Sequence, residues 1–247
     1  MERASSPATA RGSSLVVAGG VSKQIAGAGR FGATQVVFDL ADLDPPDKDV
    51  ARDGIAVALE SNDYGDALVA VRINPIHSMW AYRDIVDIVE RAGESLDGIV
   101  VPLVTSPAEI EFVDLLVEMI EQRIDLGHRI DIEAEIATAQ ALVLLDEFAL
   151  ASDRLDALLL DEASVLAALG ASDTLTDHDD VLVPLRLQVL VAARAVGLHA
   201  VVAPAVDGDD KAAYRATVDR ARAVGYDGVR YTHPTQATVV NEVFGPA

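Results

Sequence analysis

Three observations predict an α/β chain folded into a closed eightfold barrel. Short runs rich in Val, Ile and Leu alternate with longer amphipathic stretches, the pattern of buried parallel strands joined by crossover helices. Eight such runs can be counted. The 247 residues, 51% of them hydrophobic, suit eight β/α units, whereas an open doubly wound sheet usually has fewer strands in that length. The expected architecture is a (β/α)8 TIM barrel, one domain over residues 13–247, behind a disordered tail at 1–12.

Each element follows in order. The leader MERASSPATARGSS has no apolar core, and LVVAGGV behind it is too short for a signal peptide or membrane span. The first strand is expected in SLVVAG (14–19) and the second in QVVFDL (35–40). Between them GAGRFG (27–32) satisfies G-x-G-x-x-G, but a helical stretch precedes it and a strand follows, the reverse of a dinucleotide fingerprint. LVAVRI (68–73) and GIVVPLV (98–104) are the third and fourth strands, with an amphipathic helix in WAYRDIVDIVERAG (80–93) between them. A second helix, EIEFVDLLVEMIEQRI (109–124), leads to the fifth strand, DIEAEI (131–136). ALLLD (157–161), HAVVAP (199–204) and GVRYTH (228–233) complete the set, the last after the helix KAAYRATVDRARAVG (211–225), which stops on a glycine.

Composition removes several function classes. Forty acidic against 19 basic side chains give a formal charge of −21, which repels nucleic acid and anionic lipid surfaces alike. No nucleic-acid or membrane partner is expected, and a cytoplasmic location is. Only Lys23, Lys48 and Lys211 are lysines; so acidic and lysine-poor a surface suits either a salty environment or solubility alone. Cysteine is absent, which excludes disulfides, thiolate nucleophiles and cysteine-based metal sites. The histidines at 77, 128, 178, 199 and 233 show no close ligand spacing.

A barrel gathers its functional groups at the C-terminal ends of its strands. Those ends carry Asp39 and Asp42, Arg72 and Asn74, Glu133 and Glu135, Asp161 and Glu162, and His233 with Pro234. Structural readings stand beside functional ones. Arg72 is equally an ion-pair partner for Asp39 or Asp42, and Glu133 and Glu135 are structural if paired with Arg72. Asp161 and Glu162 are consistent with a solvated loop. HPTQ (233–236) suits a helix cap with Pro in the first turn, and Trp80 suits packing.

The phrases QVVFDLADLDPPDK, VAVRINP, GIVVPLV, IEAEIATA and YTHPTQATVVNEVFGP together resemble the HpcH/HpaI aldolase superfamily of citrate lyase β-subunits and malyl-CoA lyases. The resemblance runs from about residue 13 to 246 and leans towards the malyl-CoA lyase branch. It implies reversible cleavage of a 3-hydroxyacyl-CoA, such as malyl-CoA or citramalyl-CoA, to a 2-oxoacid and acetyl-CoA. That chemistry calls for Mg2+ to polarise a carbonyl and a cation to hold an enolate oxygen. The arginine after strand three, here Arg72, takes the second role. By the same resemblance Asp39 and Asp42 join it as candidate catalytic groups, and Asn74 and His233 are candidates for binding substrate or CoA.

The sequence departs where the resemblance places its metal ligands. IEAEIATA set against I-E-x-Q-I-E-T-A puts Ala137 at the metal-binding Glu and Glu135 at a Gln; Ser164 falls on the metal-binding Asp. Ala41, Leu103 and Val202 replace a Glu, a Lys and an Asp, and the chain ends at NEVFGPA where active relatives continue into a lid. Two expectations follow. In one, the barrel has lost metal and chemistry and serves as a subunit of a homo- or hetero-oligomer, beside an active paralogue. In the other, Glu135 and Asp161 hold a relocated Mg2+. Glu135 lies one pleat, about 6 to 7 Å, behind Ala137 on the same strand face, a shift that disfavours the second account.

Overall fold

The computed structural model describes residues 11–20, 22–171, 179–206 and 210–245. Its eight parallel strands are β1 (Ser13–Ala18), β2 (Gln35–Asp39), β3 (Leu68–Arg72), β4 (Gly98–Val101), β5 (Asp131–Ile136), β6 (Leu155–Asp161), β7 (His199–Ala203) and β8 (Gly228–Tyr231). They pair in sequence order, and β8 closes the barrel on β1 through Ser14 opposite Arg230. Every expected strand is present; β4 stops at Val101 rather than Val104.

Among the described residues ten α-helices wrap the strands. They are α1 (Ser22–Gly27), α2 (Lys48–Ser61), α3 (Ala81–Ala92), α4 (Pro107–Ile124), α5 (Ala139–Val143), α6 (Leu145–Ala149), α7 (Glu162–Ala168), α8 (Asp179–Val196), α9 (Lys211–Val224) and α10 (Ala237–Phe244). Local chemistry sets their ends. Ser106 and Glu109 form a reciprocal capping box at the start of α4, and Asp210 caps α9. Gly225 ends α9 in the left-handed region at φ 115°, a conformation that an L side chain resists. The GAGRFG segment spans the end of α1 and a 3-10 turn leading to β2, in the order that argues against a dinucleotide loop. No described helix is long and apolar enough to cross a membrane.

Strand alternation sorts the interior. Val36, Phe38, Leu158, Leu160, Ala200 and Val202 face the helices in the main core. The opposite faces fill the barrel in layers, as expected for side chains at i and i+2. Val16, Val37, Ala70 and Val100 form a small apolar layer. Above it on the same strand faces lies the mouth with Asp39 and Arg72, and below it a polar base with Ser14 and Gln35.

The base corrects two expectations. Arg11 and Gly12 belong to the barrel, not to a disordered tail. Arg11 is 3% exposed and donates to Asp156 at 2.5 Å and to Glu133. A Cβ at Gly228 would collide with the Arg11 carbonyl, so glycine there admits the incoming chain. Glu133, placed at the mouth by its position in the motif, lies in the base with its oxygens taken by Arg11, Gln35 and Arg230. Its pairing is therefore with those residues and not with Arg72. Burial opposes the Glu133 charge, but the two guanidinium groups outweigh it and bring its pKa down to about 2.

Candidate functional site at the barrel mouth

The mouth is organised by Arg72 at the end of β3. Its Nε donates to Glu135 Oε2 at 2.8 Å and its Nη2 to Glu135 Oε1 at 3.0 Å, a two-pronged pair across the barrel from β5. Nη1 donates to both oxygens of Asp39 at 3.2 Å and to Asp42 at 3.4 Å. The adjacent register of Asp39 and Arg72 on β2 and β3 brings the first of these together. Burial works against the guanidinium charge, yet Glu135, Asp39 and Asp42 hold Arg72 well above the ordinary arginine value. Burial raises the Asp39 carboxyl, with Arg72 pulling the other way. These residues line a cavity of about 320 Å³ that also takes in Asp161 and Arg230.

The other candidates are placed as follows. Asn74 is 1% exposed, and its side chain is spent on structure. Its Nδ2 donates to Asp84 at 2.6 Å while its Oδ1 accepts from Lys48 Nζ. Lys48 also donates to the carbonyls of Leu40 and Ala41 and lies 5.0 Å from the Trp80 ring centre, so Trp80 contributes a cation–π contact as well as packing. His233 caps the 3-10 turn Pro234–Gln236 with a reciprocal box to Gln236 and is exposed. Asp161 caps α7, accepting from Ser164 N at 3.1 Å and Ser164 Oγ at 2.6 Å. Glu162 is no solvated loop: it is fully buried, paired with Arg186, and accepts from Ala205 N. Val202 packs outward among the helices, so its substitution says nothing about the mouth. His178 lies outside the described residues.

Oxygen donors arranged this way do not match a magnesium site. Mg2+ needs carboxylate oxygens free to complete an octahedron with substrate and water. Here Arg72 covers both oxygens of Glu135 and Ser164 covers both of Asp161. Ala137 brings no donor, and it is buried. Among the described residues no group of three or more His, Cys, Asp and Glu side chains is placed to hold a metal ion. Leu103 adds a backbone feature at the mouth: it is 39% exposed and sits in the left-handed region at φ 51°, a strained conformation for leucine.

Sequence reading passed over Arg11, Arg230 and the Glu162–Arg186 pair. For Arg230 the signal was present, since alternation in GVRYTH puts an arginine on the face opposite to Val229, which packs in the helix-side core. For Arg11 no local signal existed, because it sits in a Ser- and Ala-rich leader.

Fold and mouth define a parallel (β/α)8 barrel with a guanidinium–carboxylate cluster at the strand ends. Residues 13–234 match the HpcH/HpaI aldolase/citrate lyase family, and the chain belongs to it. It is 32% identical over 231 residues to an L-malyl-CoA/β-methylmalyl-CoA lyase of Cereibacter sphaeroides, covering 87% of this chain and 73% of that one. A (3S)-malyl-CoA thioesterase of the same organism is 29% identical, over 94% of this chain and 76% of its own. Among solved structures, a citrate lyase β subunit of M. tuberculosis complexed with oxaloacetate and magnesium superposes with a TM-score of 0.75. It has 26% identity and covers 96% of this chain and 99% of that one.

Proposed function

We infer that this chain is a malyl-CoA lyase/citrate lyase β-like barrel that is catalytically degenerate and assembles with, or regulates, an active CoA-ester lyase. One observation carries the reading: the Arg72 fork is filled by Glu135, while Ala137 and Ser164 occupy the positions where the family resemblance places metal-binding acids. An arginine already held by three carboxylates has no free edge for an enolate oxygen, and without a cation the oxoacid carboxylate meets acidic walls. Support for a subunit role comes from exposed apolar residues at helical spacing on two helices. Phe112, Leu115 and Met119 form one such stripe on α4, and Val183, Leu187 and Val191 another on α8.

The second reading is an active Mg2+-dependent lyase with a relocated site, favoured by one fact: Glu135, Asp161 and Arg72 share a cavity. An assay of malyl-CoA and citramalyl-CoA with magnesium separates the two. It follows both C–C cleavage and thioester hydrolysis, with the purified chain and then with whatever co-purifies. The degenerate reading expects no turnover by the chain alone. Robust turnover abolished by Arg72→Ala overturns it.

A further inference from the structure

The outward face of α8 is unlike the rest of this acidic surface. Val183, Leu187 and Val191 lie at i, i+4 and i+8 and are 47%, 54% and 58% exposed, a single ridge along one side of the helix. Pro184 and Gln188 are the other exposed residues between its ends, so from Asp180 to Arg194 the exposed face carries no charge. In a chain of formal charge −21 that sets α8 apart from α4, whose apolar stripe is flanked by exposed Glu111 and Glu118. Gln188 Nε2 donates to the Leu142 carbonyl at 3.1 Å, which ties α8 to the end of α5, where Val143 is also exposed. The face is symmetric along its own length. Leu187 is its midpoint, with Val183 and Val191 four residues to either side and Asp180 and Arg194 seven residues to either side.

A second α8 crossing antiparallel about a twofold axis at Leu187 answers each of these features. Leu187 packs on its own copy and Val183 on Val191, while the acidic start of each helix lies towards the basic end of the other. A parallel crossing sets like ends together, and the helix dipoles oppose it too. Arg194 already donates to Asp227 at 2.8 Å and to the carbonyls of Leu198 and Gly225, so the end charges fix orientation rather than add a strong bond. We propose that two copies of this chain form a twofold dimer through α8, with Leu187 on the axis. Copies that each carry −21 repel one another wherever acidic surfaces meet, and an uncharged face lifts that penalty at the contact. The 18 residues of α8 run about 27 Å and form the centre of the interface. A stable interface covers about 800 Å² per partner, and α5 beside α8 widens the contact. The inference goes beyond the chemistry of the mouth and holds whether or not the chain turns over a CoA ester.

The test is sedimentation velocity on the full chain, which is expected to show a concentration-dependent dimer. Leu187→Glu changes an exposed site, sets two carboxylates against each other on the axis and weakens dimerisation about 100-fold. Leu115→Glu on α4 leaves it unchanged. Leu187→Lys weakens it in the same way, and an equimolar mixture of the Leu187→Glu and Leu187→Lys chains recovers the dimer, because a twofold axis here sets position 187 against itself. The chain has no cysteine, so Leu187→Cys can form one disulfide only, between copies. Mild air oxidation is expected to cross-link it about tenfold faster than Val50→Cys, whose site on α2 is more exposed. Circular dichroism checks the fold of each variant. A wild-type chain that stays monomeric up to about 100 μM overturns the proposal. So does an oligomer untouched by Leu187→Glu, or a mixture of the two charge variants that does not associate. None of these readouts involves CoA-ester turnover, so the dimer and the degenerate reading of the mouth fail separately.

Discussion

Arg72 and Glu135 meet as a parallel fork across the barrel mouth, with separations of 2.8 and 3.0 Å and side chains 12% and 4% exposed. The geometry gives each group its counter-charge without water or metal. It also means that the two residues are unequal as mutational targets, because Arg72 has Asp39 in reserve and Glu135 has no second cation among its described partners.

Arg72→Ala leaves Glu135 and Asp39 buried without a cation and is expected to cost about 3 to 5 kcal/mol of stability. Glu135→Gln leaves Arg72 with Asp39 and keeps a hydrogen-bonding amide, so its cost is about 1 to 2 kcal/mol. Urea denaturation at neutral pH measures both. Equal losses would show that Asp39 does not serve Arg72 as a reserve partner.

Rebuilding the two family donor positions should restore a metal site. Ala137→Glu combined with Ser164→Asp supplies two carboxylates, and the serine change also frees Asp161 from its present partner. Calorimetry is expected to show tighter magnesium binding by the double variant than by either single variant, since each single change supplies only one of the two donor positions. Equally tight binding by Ala137→Glu alone would mean that Asp161 already serves as a ligand.

Stability should peak at mildly acidic pH. Glu133 is lowered from 4.5 to about 2 in the folded state, so its contribution is present above pH 4.5 and is lost as pH falls towards 2. Asp131 is shifted the other way, from 3.8 to about 6, by burial and then by Asp156. Its contribution is therefore present below 3.8 and lost as pH rises through 6, damped because its side chain is 41% exposed. His199, raised chiefly by its hydrogen bond with Asp227, acts in the same direction as Asp131. Denaturation midpoints across pH should rise on going from 7 to about 5 and fall below 4.5. Asp131→Asn is expected to flatten the upper arm and leave the lower arm unchanged.

Leu103→Gly should stabilise the chain. The left-handed backbone at this position costs a leucine ~1–2 kcal/mol, glycine adopts it freely, and a side chain 39% exposed gives up only part of its burial. The net gain is about 0.5 kcal/mol, read as a rise of about 1 to 2 °C in melting temperature for a domain of this size. A lowered melting temperature would show that the side chain, not the backbone, governs the site.

The strands were legible because both of their faces are dry, so each stands out as an apolar run whatever surrounds it. Their ends were less so: β4 stops at Val101, because Pro102 and the left-handed Leu103 turn the chain where apolar composition continues. Alternation also placed Glu135 and Ala137 on one face, and the motif order put Arg72 beside Asp39. What spacing left open was which acid occupies the arginine, and three-dimensional distance decided it for Glu135, 63 residues away. Glu133 was assigned to the mouth because a motif orders residues along the chain but does not give depth in a barrel.

The sequence by itself determined the eightfold repeat, the acidic character and the absence of thiol chemistry, and it put Asp39, Asp42, Arg72, Glu135 and Asp161 at strand ends, since these depend on local periodicity and residue type. Only the tertiary structure decided the pairing of charges. Barrel closure brings Arg11 within reach of Glu133 across 122 residues and Arg230 across 97, and no local pattern records such a contact. Burial then forces each carboxylate to find a cation or lose its charge, so partners chosen by closure set both the stability of the base and the chemistry left available at the mouth.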